Sequence, residues 1–175
     1  KRFMDDFGMS EDDAVTITDS RYLADYFEEV AGHLGNPKAA SNIVLSEVLR
    51  VLNEKSIDIR QFPVSSQKVS DLVKLKEDDK INSSAMQEIF NALLDEPGKE
   101  PGDLAKEMNL IQVSDSSSLE PVVDKIIEEH PDEVQRYKDG KKQLMGFFVG
   151  QAMKATKGKA NPKLVNKLIT EKLND

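Results

Sequence analysis

Apolar residues in this chain recur three and four positions apart, segment after segment, and glycine and proline fall at the breaks. Tyr22, Leu23, Tyr26, Phe27, Val30, Ala31 and Leu34 keep this spacing up to Gly35, a residue suited to the left-handed turn that closes a helix. Asn36-Pro37 then reads as an N-cap with proline at the first helical position, leading a helix to about Leu52 with Ile43, Val44, Leu45, Val48, Leu49 and Leu52 inward. Ser10 with Asp13 three residues on predicts an earlier cap. Phe62-Pro63 breaks the pattern, because the residue before proline is pushed out of helical geometry. Ser65 or Ser66 is expected to cap a helix through Val69, Leu72, Val73 and Leu75; Ala85, Met86, Ile89, Phe90, Leu93 and Leu94 make another inward stripe, and Pro101–Met108 one further short helix. With 6% aromatic residues, no tryptophan and no sustained alternation, little favours strands. The fold class predicted is all-α.

The formal net charge of -8 is unevenly distributed. Residues 1–111 hold 13 Lys+Arg against 22 Asp+Glu, and residues 112–175 hold 11 against 10. Between Arg136 and Lys172 the basic residues number 10 and only Asp139 and Glu171 oppose them. Between the acidic and basic parts lies Ile111-Gln112-Val113-Ser114-Asp115-Ser116-Ser117-Ser118, polar and serine-rich. Its composition predicts a joint. Two small helical bodies follow: an acidic helical domain over 1–110, a flexible linker over 111–118, and a basic tail domain of three or four helices over 119–175.

Several functions are excluded or weakened by what is missing. The chain has no cysteine, so disulfides, thiolate metal sites and a cysteine nucleophile are out, and a reducing cytoplasm fits best. His33 and His130 are isolated and belong to no metal-binding pattern. Acid pairs such as Asp12/Asp13, Glu28/Glu29 and Asp78/Asp79 read as solvated surface. Gly158-Lys159 lacks the upstream glycine, the following Ser/Thr and the preceding strand of a P-loop. The longest apolar stretch, Leu144 to Val149, falls far short of the roughly 20 residues of a membrane span. No signal core opens the sequence, which also lacks an initiator methionine and is expected to be a piece of something longer.

The informative segment is Leu144–Leu168, LMGFFVGQAMKATKGKANPKLVNKL. Leu144, Met145, Phe147, Phe148, Val149, Ala152 and Met153 cover most of a helix circumference, predicting the buried centre of its body. Gly146 and Gly150, four apart, predict close approach by a neighbouring helix. The helix runs into Lys154, Lys157, Gly158 and Lys159, and Asn161-Pro162 caps the last helix, which carries Lys163. Unpaired N–H groups at a helix start, flanked by lysines, predict a phosphate cradle. Spacing alone leaves a merely solvated lysine face equally open.

This segment resembles the tail-domain signature of the B subunit of the aspartyl/glutamyl-tRNA amidotransferases, a domain shared with stand-alone YqeY-like proteins. DDFGMSEDDAVTITDSRYLADYFEEV and NPKAASNIVLSEVLRVLN resemble the helical domain of that subunit, while Asn109–Ile127 echoes a GLxxxSDxxxLExVVxxII pattern. Met9 and Asp12 stand where the family often has a leucine and an aromatic, and Ile43 where an aromatic commonly follows the asparagine. The resemblance implies an ATP-dependent, glutamine-hydrolysing carbon–nitrogen ligase. Its ATP and magnesium chemistry would reside in a catalytic cradle preceding Lys1, leaving this part without catalytic or metal-binding residues. The partners it implies are the amidase subunit, the small C subunit of the same heterotrimer, and tRNA. The tail would reach the outer corner of the tRNA, with Lys154, Lys157, Gly158, Lys159, Asn161 and Lys163 at the motif positions able to touch RNA. The alternative is a stand-alone YqeY-like interaction protein, which would not need the Tyr22/Tyr26/Phe27 helix or the Asn36-Pro37 helix.

Overall fold

The computed structural model describes residues 1–174, and among these the regular elements are helical. The chain divides into two compact units, Lys1–Asn109 and Leu110–Asp175.

In the first unit, α1 (Arg2–Phe7) and α2 (Glu11–Thr18) precede α3 (Arg21–Leu34). Ser10 caps α2 by accepting from the Asp13 amide at 3.2 Å. Gly35 ends α3 at φ 67°, a left-handed conformation that glycine adopts without steric cost. The inward face of α3 is fully or nearly fully buried at Leu23, Phe27, Val30 and Ala31. Phe27 packs edge-on against Phe7 with ring centres 5.2 Å apart. α3 packs on α6 (Ser66–Glu77), which packs in turn on α7 (Ser83–Asp95) and α8 (Pro101–Glu107). Polar groups at this seam are partnered: the Tyr26 hydroxyl donates to Val64 O at 3.0 Å and the Ser70 hydroxyl to Ser66 O at 2.7 Å. Burial pushes the Tyr26 phenol far above its usual range, with the Glu29 charge adding to the effect.

The helix expected from Pro37 to about Leu52 is interrupted. It runs as α4 (Pro37–Ile43), a π turn over Val44–Val48, and α5 (Leu49–Lys55). Ala40, Val44, Val48 and Leu52 are buried and spaced four apart, wider than the 3.6 residues of an α turn. A π turn in the middle keeps them on one side.

The second unit contains α9 (Ser116–Glu129), α10 (Pro131–Lys138), a 3₁₀ turn at Lys142–Leu144, α11 (Met145–Ala155) and α12 (Pro162–Asn174). Its core joins Leu119, Val123 and Ile126 of α9, Tyr137 of α10, Phe148 and Ala152 of α11, and Val165, Leu168, Ile169 and Leu173 of α12. Lys172 reaches Asp124 at 2.6 Å, pinning α12 to α9.

In the serine-rich stretch Asp115 accepts from the Ser117 amide, the Ser117 hydroxyl and the Ser118 hydroxyl, and Ser116–Ser118 form the first turn of α9. Upstream of it, Val113 forms a parallel bridge with Ala160. The expectation for α11 is corrected: it is not buried all round. Phe148 and Ala152 are buried, Leu144, Met145, Phe147, Val149 and Met153 are half-buried, and Gly146 and Gly150 are exposed. A Cβ at either glycine would meet nothing within 4 Å, so among the described residues of this unit no helix packs closely there.

Gly150→Ala is therefore expected to stabilise the second unit by about 1 kcal/mol, and Gly146→Ala, in the first turn, by less. Phe148→Ala should destabilise it by about 3–5 kcal/mol. Denaturant titration of the three variants checks both signs. The hydrogen bonds from Ser117 and Ser118 hold the Asp115 carboxyl below the usual carboxylate range. A depressed folded-state pKa gives stability that is complete above the unfolded value, near 3.9, and lost as pH falls through the folded one. Exchange of the Ser117 amide should accelerate in that acidic window, and Asp115→Asn should remove the dependence.

Candidate nucleic-acid interface

The C-terminus of α11 is closed by a Schellman turn. The Gly158 amide donates to Met153 O at 2.7 Å and the Lys157 amide to Lys154 O at 3.2 Å. Lys157 and Gly158 are both left-handed, at φ 52° and 78°. Lys157 thus occupies the helix-ending position where glycine is commonest. The chain then reverses into α12 through Lys159, Ala160 and Asn161.

This turn does not leave a backbone cradle open for phosphate. The Lys159 amide donates to Thr156 O at 3.1 Å, the Ala160 amide to the Thr156 hydroxyl at 3.1 Å, and the Asn161 amide to Val113 O at 3.1 Å. At the start of α12, Asn161 Oδ1 accepts from the Lys163 amide at 3.0 Å and the Leu164 amide at 3.4 Å. Pro162 has no N–H. Every amide the sequence offered to a phosphate is engaged within the protein. Asn161 itself is only 7% exposed, with Nδ2 3.5 Å from the Ser114 hydroxyl. It builds the turn from inside, and Gly158 serves it through its backbone conformation.

What the turn presents outward is side-chain charge. Lys154, Lys157 and Lys163 are exposed and Lys159 is half-buried. Among the described residues, Lys154, Lys157 and Lys159 make no ion pair, whereas in the first unit Arg2, Arg21, Arg50, Arg60, Lys68, Lys74, Lys80 and Lys99 all do. The first turn of α12 carries Lys163 and no acid, the reverse of what the helix macrodipole favours. A polyanion laid against this turn would be met by flexible ammonium groups on a fixed backbone.

Sequence reasoning missed the partner that holds the turn. Val113 donates to Lys159 O at 2.6 Å and accepts from Asn161, tying the two chain segments together. A single-residue bridge has no periodicity to detect. Also unforeseen is a groove of about 560 Å³ between α9 and α11 that Lys154 borders. His130 packs edge-on against Phe147 at 5.0 Å, and His33 lies in the last turn of α3. Among the described residues no three or more His, Cys, Asp or Glu side chains are close enough together to hold a metal ion. No helix among the described residues is long and apolar enough to cross a membrane.

Residues 25–173 match the GatB domain, running through both units. The chain belongs to the GatB domain family. It is 40% identical to the B subunit of the aspartyl/glutamyl-tRNA(Asn/Gln) amidotransferase of Salinibacter ruber and 43% identical to that of Thermotoga petrophila, over 99% of its length in each case. The Carboxydothermus hydrogenoformans protein of the same name is 40% identical over 99%. The chain spans 36% of the length of each of these relatives. In this GatB domain the turn between α11 and α12 depends on Asn161 as its cap. Asn161→Ala is expected to destabilise the second unit by about 1 kcal/mol, while Asn161→Asp, which keeps the accepting oxygen, should retain most of that stability in thermal melts.

Proposed function

We propose that this chain is the tRNA-holding part of the B subunit of an aspartyl/glutamyl-tRNA amidotransferase, contributing grip and no catalytic group. The observation that carries the reading is that Lys154, Lys157 and Lys159, in the last turn of α11 and the turn that follows it, make no ion pair among the described residues. Family membership gives that charge a polyanion to meet, since the relatives are named for a tRNA substrate.

On this reading the parent enzyme works in the cytoplasm. It phosphorylates the carboxylate of Glu-tRNA(Gln), Asp-tRNA(Asn) or both in a cradle elsewhere in the same polypeptide. Ammonia from the amidase subunit displaces the phosphate to form the amide, and the third member of the complex is the small C subunit. The helical domain, 1–110, and the tail domain, 119–175, then hold the tRNA body, the tail at its outer corner. Lys154, Lys157, Lys159 and Lys163 meet phosphates. Gly158 and Asn161 shape the turn that carries them. Recognition rests on backbone charge and shape, because A-form RNA presents chiefly phosphates and 2′-hydroxyls.

The test is binding of total tRNA to the chain across a salt series, beside a variant with Lys154, Lys157 and Lys159 changed to glutamate. Parent affinity should fall steeply with salt, and the variant should bind more weakly with a logarithmic salt slope flatter by up to about three. Equal binding by the two proteins would refute the assignment.

A further inference from the structure

Ion pairs hold Lys125, Lys167 and Lys172 of the second unit to Glu129, Glu171 and Asp124. Where α10 ends, Arg136, Lys138 and Lys141 are exposed and make no ion pair among the described residues. This end is built like the end of α11. The Lys141 amide donates to Arg136 O at 3.0 Å and the Gly140 amide to Tyr137 O at 3.1 Å, a second Schellman turn, with Gly140 at φ 104°. Lys142 lies over the ring of Tyr137, itself part of the core, so the exit from the turn is anchored. Asp139, the one acid between Arg136 and Lys142, is engaged by Gln135 Nε2 at 2.9 Å. The helix macrodipole accounts for cations in the last turn, Arg136 and Lys138. Lys141 lies beyond it.

The two cationic turns stand at opposite ends of α11, whose 11 residues separate them by about 16 Å. Gly146, Gly150 and Lys154 are exposed and recur every four positions, so one open face of α11 runs toward Lys154 with two positions bare of side chain. A single phosphate cannot bridge that distance, whereas a chain of phosphates can. We propose that the turn after α10 is a second phosphate-holding point, at which Arg136, Lys138 and Lys141 grip the same RNA that meets Lys154, Lys157 and Lys159. The inference rests on the tRNA-holding reading and adds to it a contact which that reading leaves out. The surroundings of the cations select the partner. Among the described residues the large hydrophobic side chains left exposed, Met4, Val15, Tyr22 and Met108, all belong to the first unit. A membrane would need apolar side chains to insert, and a protein partner would need an apolar centre to the interface. A phosphate backbone binds through released counterions and needs neither.

The experiment measures total-tRNA affinity and stoichiometry of the chain across a salt series. It compares the parent with a neutral variant, Arg136→Gln, Lys138→Gln and Lys141→Gln together, and with Lys138→Arg plus Lys141→Arg, which keeps the charge. The neutral variant should bind about tenfold more weakly at low salt with a logarithmic slope flatter by about two to three, and the arginine variant should match the parent within about twofold. All variants keep Tyr137 and Gly140, and thermal melts confirm folding. If the neutral variant does not fold, Lys138→Gln with Lys141→Gln decides, with a slope flatter by about one to two. Unchanged affinity and slope overturn the second contact, and leave the tRNA-holding reading standing if the glutamate variant at Lys154, Lys157 and Lys159 still binds more weakly. Two tRNA molecules per parent chain, reduced to one in the neutral variant, would overturn the shared grip. Poly-glutamate bound by the parent as tightly as tRNA, and lost in the neutral variant, would overturn RNA as the partner in favour of an acidic protein segment. Absence of any tRNA binding by the parent overturns the tRNA-holding reading, and this contact with it.

Discussion

Two backbone hydrogen bonds through Val113 fix the part of this molecule that matters most for its proposed role. The Val113 amide reaches Lys159 O and its carbonyl takes the Asn161 amide, so the turn between α11 and α12 is braced from outside its own sequence. Without that brace the turn would rest on local bonds only: the Schellman pair, the two bonds to Thr156 and the Asn161 cap. With it, Lys157 and Lys159 project from a backbone whose amides are all engaged. Ammonium groups on mobile stems suit an irregular polyanion surface, whereas a backbone cradle would demand one phosphate in one place.

The second unit is small for a single hydrophobic core, and it economises by sharing residues between purposes. Phe148 and Ala152 fill the space between α9 and α12, while the flanks of the same helix supply Gln151 and Lys154 to the groove. Tyr137 enters the core and also carries Lys142 over its ring face at 4.1 Å, holding one lysine back by cation–π attraction. Charge in this unit is thus sorted into held and free groups. In the first unit most basic side chains are bound to neighbouring acids.

Much of this was legible in the sequence because it depends on local rules. The caps at Ser10, Asn36 and Asn161, the stop at Gly35 and the inward stripe of α3 are decided by residues within a few positions of one another. Legibility failed where distant segments decide the outcome. Val113 is bound by a partner 47 positions away, which no local spacing announces. Gly146 and Gly150 have the spacing of a packing motif, but only tertiary structure says whether a neighbour arrives, and none does. The π turn at Val44–Val48 lay hidden in a four-residue spacing that an α-helix nearly satisfies. The lysines were identified by charge and family pattern. That their backbone is closed to ligands needed the hydrogen bonds.

Lys157 in the left-handed region has a consequence for anyone redesigning this domain. A side chain there costs roughly 1–2 kcal/mol over a residue free of a Cβ, so a stability-driven redesign would choose glycine or asparagine at the end of α11. Such a protein would fold more firmly and melt later, and it would have traded away a charge from the turn. The most tempting repair in the second unit is one that a thermostability screen would reward, at the expense of a lysine on which the proposed role depends.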